Sequence, residues 1–111
     1  MASVSVIVPC FNLGEYLPAA IESVLQQTLP PQELLIVDDG STDKTTLELL
    51  QRYSSGGLDV HHQSNQGAPA ARNCGINLAR SEYILCLDAD DILMPTFLEE
   101  TVPRLDAEAE V

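Results

Sequence analysis

At 111 residues and 45% hydrophobic content the chain is sized for one domain, residues 1–111, with a single core, near the lower end for a complete enzyme. Seventeen acids against five bases give a net charge of -12, which argues against nucleic acid and anionic lipid surfaces as partners, since both are bound by clustered Lys and Arg. No apolar stretch approaches the ~20 residues of a membrane span, and Met1-Ala2-Ser3 runs into a strand pattern without a basic, apolar leader, so the expected location is cytoplasmic.

Val4 to Val8 is a β-branched run that Pro9 is expected to stop, with Cys10-Phe11-Asn12 as the loop beyond it. Leu13, Tyr16, Leu17, Ala20, Ile21, Val24 and Leu25 recur at intervals of three and four, which predicts a helix ending near Gln27 before Pro30-Pro31. Leu34 to Val37 reads as a second strand and Asp38-Asp39-Gly40 as a turn. Ser41, Thr42 and Asp43 then offer caps for a helix carrying Leu47, Leu50 and Tyr53.

Leu58 to His62 alternates apolar and polar residues, as a strand near a sheet edge does. Pro69 suits the first turn of a third helix, whose stripe is Ala71, Cys74, Leu78 and Ala79. Tyr83 to Leu87 is an unbroken apolar run suited to a central parallel strand. A last helical segment is expected from about Pro95 to Leu105, weakened at its end by Pro103 and an acidic tail.

Four strands alternating with four helices specify an α/β fold, a Rossmann-like parallel sheet with helices on both faces. Such sheets bind ligands beyond the carboxyl ends of their strands, where strand order reverses. The unusual polar residues of this chain fall there: Pro9 to Asn12, Asp38 to Asp43, Asn65 to Asn73, and Asp88 to Asp91. Strand order 3-2-1-4 would set Asp88 and Asp90 beside Pro9 to Asn12.

Alternation along an extended chain puts Asp88 and Asp90 on one side and Ala89 and Asp91 on the other. Two carboxylates about 4 Å apart repel by ~4 kcal/mol at an effective dielectric of ~20, a cost that a divalent cation, a shared proton or full hydration must relieve. Mg2+ or Mn2+ is the reading that also supplies a function, against that of a solvated loop. Asp38 can read a nucleoside by accepting hydrogen bonds or can simply form a turn. Arg72 sits in the first turn of a helix against the dipole, so an anionic or planar partner is one reading and a solvated side chain the other. Gly75 fits a helix poorly, which points to close approach of another backbone or a ligand. His61 and His62 face opposite sides of a strand and read as structural, and Cys10, Cys74 and Cys86 match no zinc spacing and read as reduced core residues.

Taken together, VIVPCFN (6 to 12), IVDDGSTD (36 to 43), NQGAPAARNCGI (65 to 76) and YILCLDADD (83 to 91) resemble the successive signatures of the inverting family 2 glycosyltransferases, whose nucleotide-binding half has the GT-A fold. The resemblance implies a nucleotide-sugar donor, usually a UDP-sugar, and a divalent metal, Mn2+ or Mg2+. By it, Pro9 and Asn12 line the uridine pocket, Asp38 contacts uracil, Arg72 reaches the nucleotide, Asp88 binds ribose or metal-bridged phosphate, and Asp90 ligates the ion, with Asp91 a weaker candidate. Members of the family continue into an acceptor-binding half that carries the catalytic base. None of Glu99, Glu100, Asp106, Glu108 and Glu110 is placed by a strand end. The chain is therefore expected to be the N-terminal donor-binding half of a longer glycosyltransferase, its base and acceptor unknown, prone to self-association and inactive in transfer alone. A non-catalytic nucleotide-sugar-binding or interaction module is the alternative. A phosphoacceptor receiver fits less well, because it needs an acidic pair after the first strand and a lysine near a fifth.

Overall fold

The computed structural model describes residues 3–109, with side chains as far as Leu105. Its elements are β1 (Val4–Cys10), α1 (Leu17–Leu25), β2 (Glu33–Asp39), α2 (Lys44–Ser55), β3 (Asp59–Gln63), α3 (Ala68–Leu78), β4 (Tyr83–Cys86) and α4 (Phe97–Ala109). The four strands form one parallel sheet, as the alternation of elements implies, in the order β3-β2-β1-β4. Right-handed crossovers decide which face each helix takes. The steps from β1 to β2 to β3 go one way across the sheet and leave α1 and α2 on one face; the return to β4 goes the other way and puts α3 on the opposite face.

Side-chain alternation in β1 serves both layers. Val6, Val8 and Cys10 pack with Leu17, Ile21 and Val24 of α1 and Leu49 and Leu50 of α2, whereas Ile7 joins Leu35, Val37 and Ala71 of α3 on the other face. Val4 closes a third cluster with Leu98 and Val102 of α4. Gly75 answers to this packing: a Cβ there would run into Ile7 Cγ2. The neighbour is thus a β1 side chain, not a ligand. Overpacking of this kind costs ~1–3 kcal/mol, against ~1 kcal/mol gained from alanine's better helix propensity. Gly75→Ala is accordingly expected to lower the urea unfolding midpoint, and an unchanged or higher midpoint would show that α3 can move off β1.

Five local expectations are corrected. Pro9 lies within β1, because the pairing with β4 ends at Ile7 opposite Cys86 and the missing N–H of Pro9 falls beyond it. Residues 13–16 form a turn before α1, with Tyr16 N–H and Leu17 N–H both donating to Leu13 C=O. On α2, Leu47 is exposed and Leu49 is buried in its place. α4 runs through Pro103 to Ala109. The run from Tyr83 forms an edge, not a central strand: β4 pairs only with β1 among the described residues, and Ile84 is 39% exposed. β3 is the other edge, as its alternation indicated.

Candidate functional site

Asp38 and Asp39 are not a turn but the last two residues of β2, and they point to opposite sides. Both are buried, so each carboxylate needs hydrogen bonds to replace lost water. Asp38 Oδ1 accepts from Ser41 N–H at 3.0 Å, and Oδ2 lies 2.9 Å from His62 Nδ1. Asp39 Oδ1 accepts from Gln63 Nε2 at 2.8 Å and Gln66 N–H at 2.9 Å, and Oδ2 accepts from Gly67 N–H at 3.0 Å. Burial alone would raise the pKa of Asp39, but these three donors together outweigh it and hold the carboxyl below its ordinary value. Its ionised form therefore stabilises the fold above the usual carboxylate range, a contribution lost as pH falls through the lowered value.

Asn12 ties the first loop to the second. It adopts a left-handed φ of 54°, which asparagine tolerates better than most residues. Its side-chain Oδ1 accepts from Thr42 N–H at 2.8 Å and Asp43 N–H at 2.9 Å, while its own N–H donates to Ser41 Oγ at 3.0 Å. Asp43 caps α2 by accepting from Thr46 N–H. Gly40, at φ 74°, lies so close to the third loop that a Cβ would meet Asn65 N at 2.6 Å. Three loops at the carboxyl end of the sheet are thereby fastened to one another.

Between the first loop, the end of β2, α3 and the segment after β4 opens a cleft of about 260 Å³ lined by Pro9, Phe11, Asp39, Arg72, Asp88 and Asp90, among others. Four of the expected site residues, Pro9, Arg72, Asp88 and Asp90, meet here. Asn12 and Asp38 do not line it: Asn12 borders a separate shallow surface with Glu15, Asp43 and Thr45, and Asp38 is 2% exposed with both oxygens engaged. Asp39, which sequence reasoning passed over, does line it. The signal was available in the period of two: a strand extended by two residues sends its last two side chains to opposite sides.

The acidic cluster also differs from the extended reading. β4 ends at Cys86, and Asp91 N–H donates to Asp88 C=O at 2.9 Å, so residues 88–91 turn instead of alternating. The turn buries Ala89 and gathers one oxygen each from Asp88, Asp90 and Asp91 within 4.8 Å of one another. Three exposed carboxylates in that space are a donor set that suits a hard divalent cation such as Mg2+ or Mn2+. Arg72 Nη2 stands 3.3 Å from Asp88 Oδ1, both side chains partly exposed, which gives the arginine an anionic partner worth little to stability by itself. Buried Gln27 anchors the segment between the turn and α4: its Nε2 donates to Met94 C=O at 2.6 Å and its Oε1 accepts from Leu98 N–H at 3.0 Å.

A family model described as Glycosyl transferase family 2 matches residues 5–111. The chain belongs to glycosyl transferase family 2. This family 2 domain is 40% identical over 99 residues to the glycosyltransferase GlyG of Streptococcus pneumoniae serotype 4, a match that covers 86% of the chain and 33% of the relative. Among solved structures, S. aureus TarS 1–349 in complex with UDP matches at a TM-score of 0.82 and 32% identity, over 95% of this chain and 32% of that one. The mannosyltransferase PcManGT from Pyrobaculum calidifontis, in complex with GDP-Man and Mn2+, matches at a TM-score of 0.69 and 26% identity, over 82% of this chain and 28% of that one. The Rossmann-like sheet is thus the GT-A fold of TarS. The domain spans about a third of the length of the curated relatives it matches. Among the described residues no helix is long and apolar enough to cross a membrane.

Proposed function

We propose that this domain binds the donor of a glycosyl transfer, a nucleotide-sugar of the UDP class, with the help of a divalent cation. The carrying observation is the convergence of Pro9, Asp39, Arg72, Asp88 and Asp90 on one cleft at the strand carboxyl ends. UDP in TarS and GDP-Man with Mn2+ in PcManGT support the ligand class. Asp88, Asp90 and Asp91 would hold the cation, which when bound supplies positive charge beside the diphosphate. Arg72 adds a second positive group on the same wall.

Base reading falls to the wall at the end of β2. A carboxylate offers about four acceptor sites, and Asp39 has three engaged, leaving one for a base N–H. Asn12 and Asp38 frame that wall. Acceptor and sugar identity belong to the longer glycosyltransferase of which this domain is the donor half. Exposed Ile92 and Met94, just past the acidic turn, give it an apolar surface for a partner or a second copy.

Calorimetry with UDP and ADP, each with and without Mn2+, tests this reading. The expected result is tighter UDP binding with Mn2+ and a preference for UDP over ADP. Asp39→Asn should lower UDP affinity about tenfold and narrow the gap to ADP, in line with one lost hydrogen bond to an ionised group. Equal affinity for both nucleotides in the parent would remove the uridine reading.

A further inference from the structure

We propose that His62, which lies outside the cleft, is a positioning residue for donor binding: by holding Asp38 it fixes the peptide between Phe11 and Asn12 that walls the base side. The proposal rests on the donor-site reading above.

Four residues on four segments form the connection. His62 of β3 meets Asp38 of β2 at 2.9 Å; Asp38 accepts from Ser41 N–H in the second loop at 3.0 Å; and Ser41 Oγ accepts from Asn12 N–H in the first loop at 3.0 Å. Asn12 N–H belongs to the peptide that joins it to Phe11, and Phe11 lines the cleft. Orientation passes along this line in one sense. An ionised carboxylate only accepts, so His62 Nδ1 must carry the proton and donate.

Exposure locates the weak point. The Asp38 side chain is 3% exposed, while that of His62 is 60% exposed at the sheet edge. Among the described residues Asp38 has two hydrogen-bond partners, and His62 is the only side chain of the two. Without the imidazole, Oδ2 is left buried with no donor, a state that costs the desolvation of a charged oxygen. The carboxylate relieves that cost by rotating toward solvent at the exposed sheet edge, and rotation withdraws Oδ1 from Ser41 N–H. Asp39 does not share this dependence, since two of its three donors are backbone N–H groups of the third loop. Nor does His61, which points away and pairs with Asp59 at 2.8 Å.

The comparison that decides the matter uses His62→Phe, which keeps bulk but has no donor, and His62→Asn, whose amide can place an N–H where Nδ1 stood. His61→Phe is the control. Amide hydrogen exchange in the ligand-free chain should speed up at least tenfold at Ser41 and Asn12 in His62→Phe, with Val8 and Ile36 still protected. His62→Asn and His61→Phe should stay near the parent. UDP affinity measured with Mn2+ should keep the same order, falling five- to tenfold in His62→Phe and less than twofold in His62→Asn. Parent-like exchange at Ser41 and Asn12 in His62→Phe overturns the proposal, as does a His62→Asn variant no better than His62→Phe. A parent that fails to bind UDP refutes the donor reading instead, and the exchange rates still decide the positioning role.

Discussion

Asp90→Asn is expected to weaken UDP binding in the presence of Mn2+ and not in its absence. Three carboxylate oxygens lie within 4.8 Å of one another, all on exposed side chains. At that separation a pair of unit charges repels by about 1 kcal/mol in water and about 3.5 kcal/mol at an effective dielectric of 20, and exposure puts this site toward the lower figure. Without the ion, a diphosphate approaches a cluster of like sign on a chain of net charge -12, so removing one charge should leave UDP binding unchanged or slightly tighter. In the donor-site proposal, a bound Mn2+ would turn the same carboxylates into the means of attracting the nucleotide. Loss of one ligand should then cost at least tenfold in UDP affinity and most of the gain that Mn2+ gives the parent. The contrast should shrink as salt rises through the range in which surface charges are screened. Calorimetry at two ionic strengths reads all of this, and a variant that loses the same affinity with and without Mn2+ would exclude the metal role of Asp90.

Glycoside formation by residues 1–111 alone is expected to be undetectable or confined to slow hydrolysis of the donor. An inverting transfer needs a base that reaches the acceptor hydroxyl, and general base catalysis typically contributes ~10^2 to 10^4 in rate. Positioning of the acceptor adds further orders of magnitude. Among the described side chains, the cleft is lined by the carboxylates of Asp39, Asp88 and Asp90, the first engaged by donors of β3 and the third loop and the others proposed to hold the cation. Glu99 accepts from Thr28 Oγ1 at 3.0 Å in the first turn of α4 and, like Glu100, does not line the cleft. Side chains of Asp106, Glu108 and Glu110 lie outside the described residues. An assay with UDP-sugars, Mn2+ and a panel of sugar, lipid and peptide acceptors would detect turnover. Metal-dependent transfer at ordinary enzymatic rates would require a base within this chain and would overturn the donor-half reading.

The sheet was legible because its information is local in sequence. Apolar runs, helical stripes and breakers recur in an order that admits few topologies, and clustering of polar residues at strand ends pointed to the side where the cleft lies. Most features that escaped depend on partners far away in sequence, from 24 residues for His62 and Asp38 to 79 for Cys86 and Ile7. Pro9 looks like a stop until the shortness of β4 shows that its missing N–H has no bond to lose. Leu13 to Tyr16 carry a helical stripe, yet Gly14 N–H donates to Thr46 Oγ1 at 2.9 Å and the chain turns there. Asp38 and Asp39 resemble a turn pair because Gly40 comes next, while the donors that keep both in a strand come from β3 and the two adjoining loops. Asp91 was set apart by an alternation that ends one residue before Leu87.

Back-to-back burial of Asp38 and Asp39 has a consequence for how the gene can vary in length. A shift of β2 by one position would present each carboxylate to the other's donors, aiming Asp38 at the third loop and Asp39 at His62, and would turn the strand's apolar residues to the wrong layers at the same time. Insertions and deletions between Glu33 and Gly40 are therefore closed to this chain. They remain open in the bend after α2, where a Cβ on Gly57 would meet nothing within 4 Å; the bend after α1 is closed as well, because it delivers Glu33 to Ser5 Oγ and Gln27 to Met94 and Leu98.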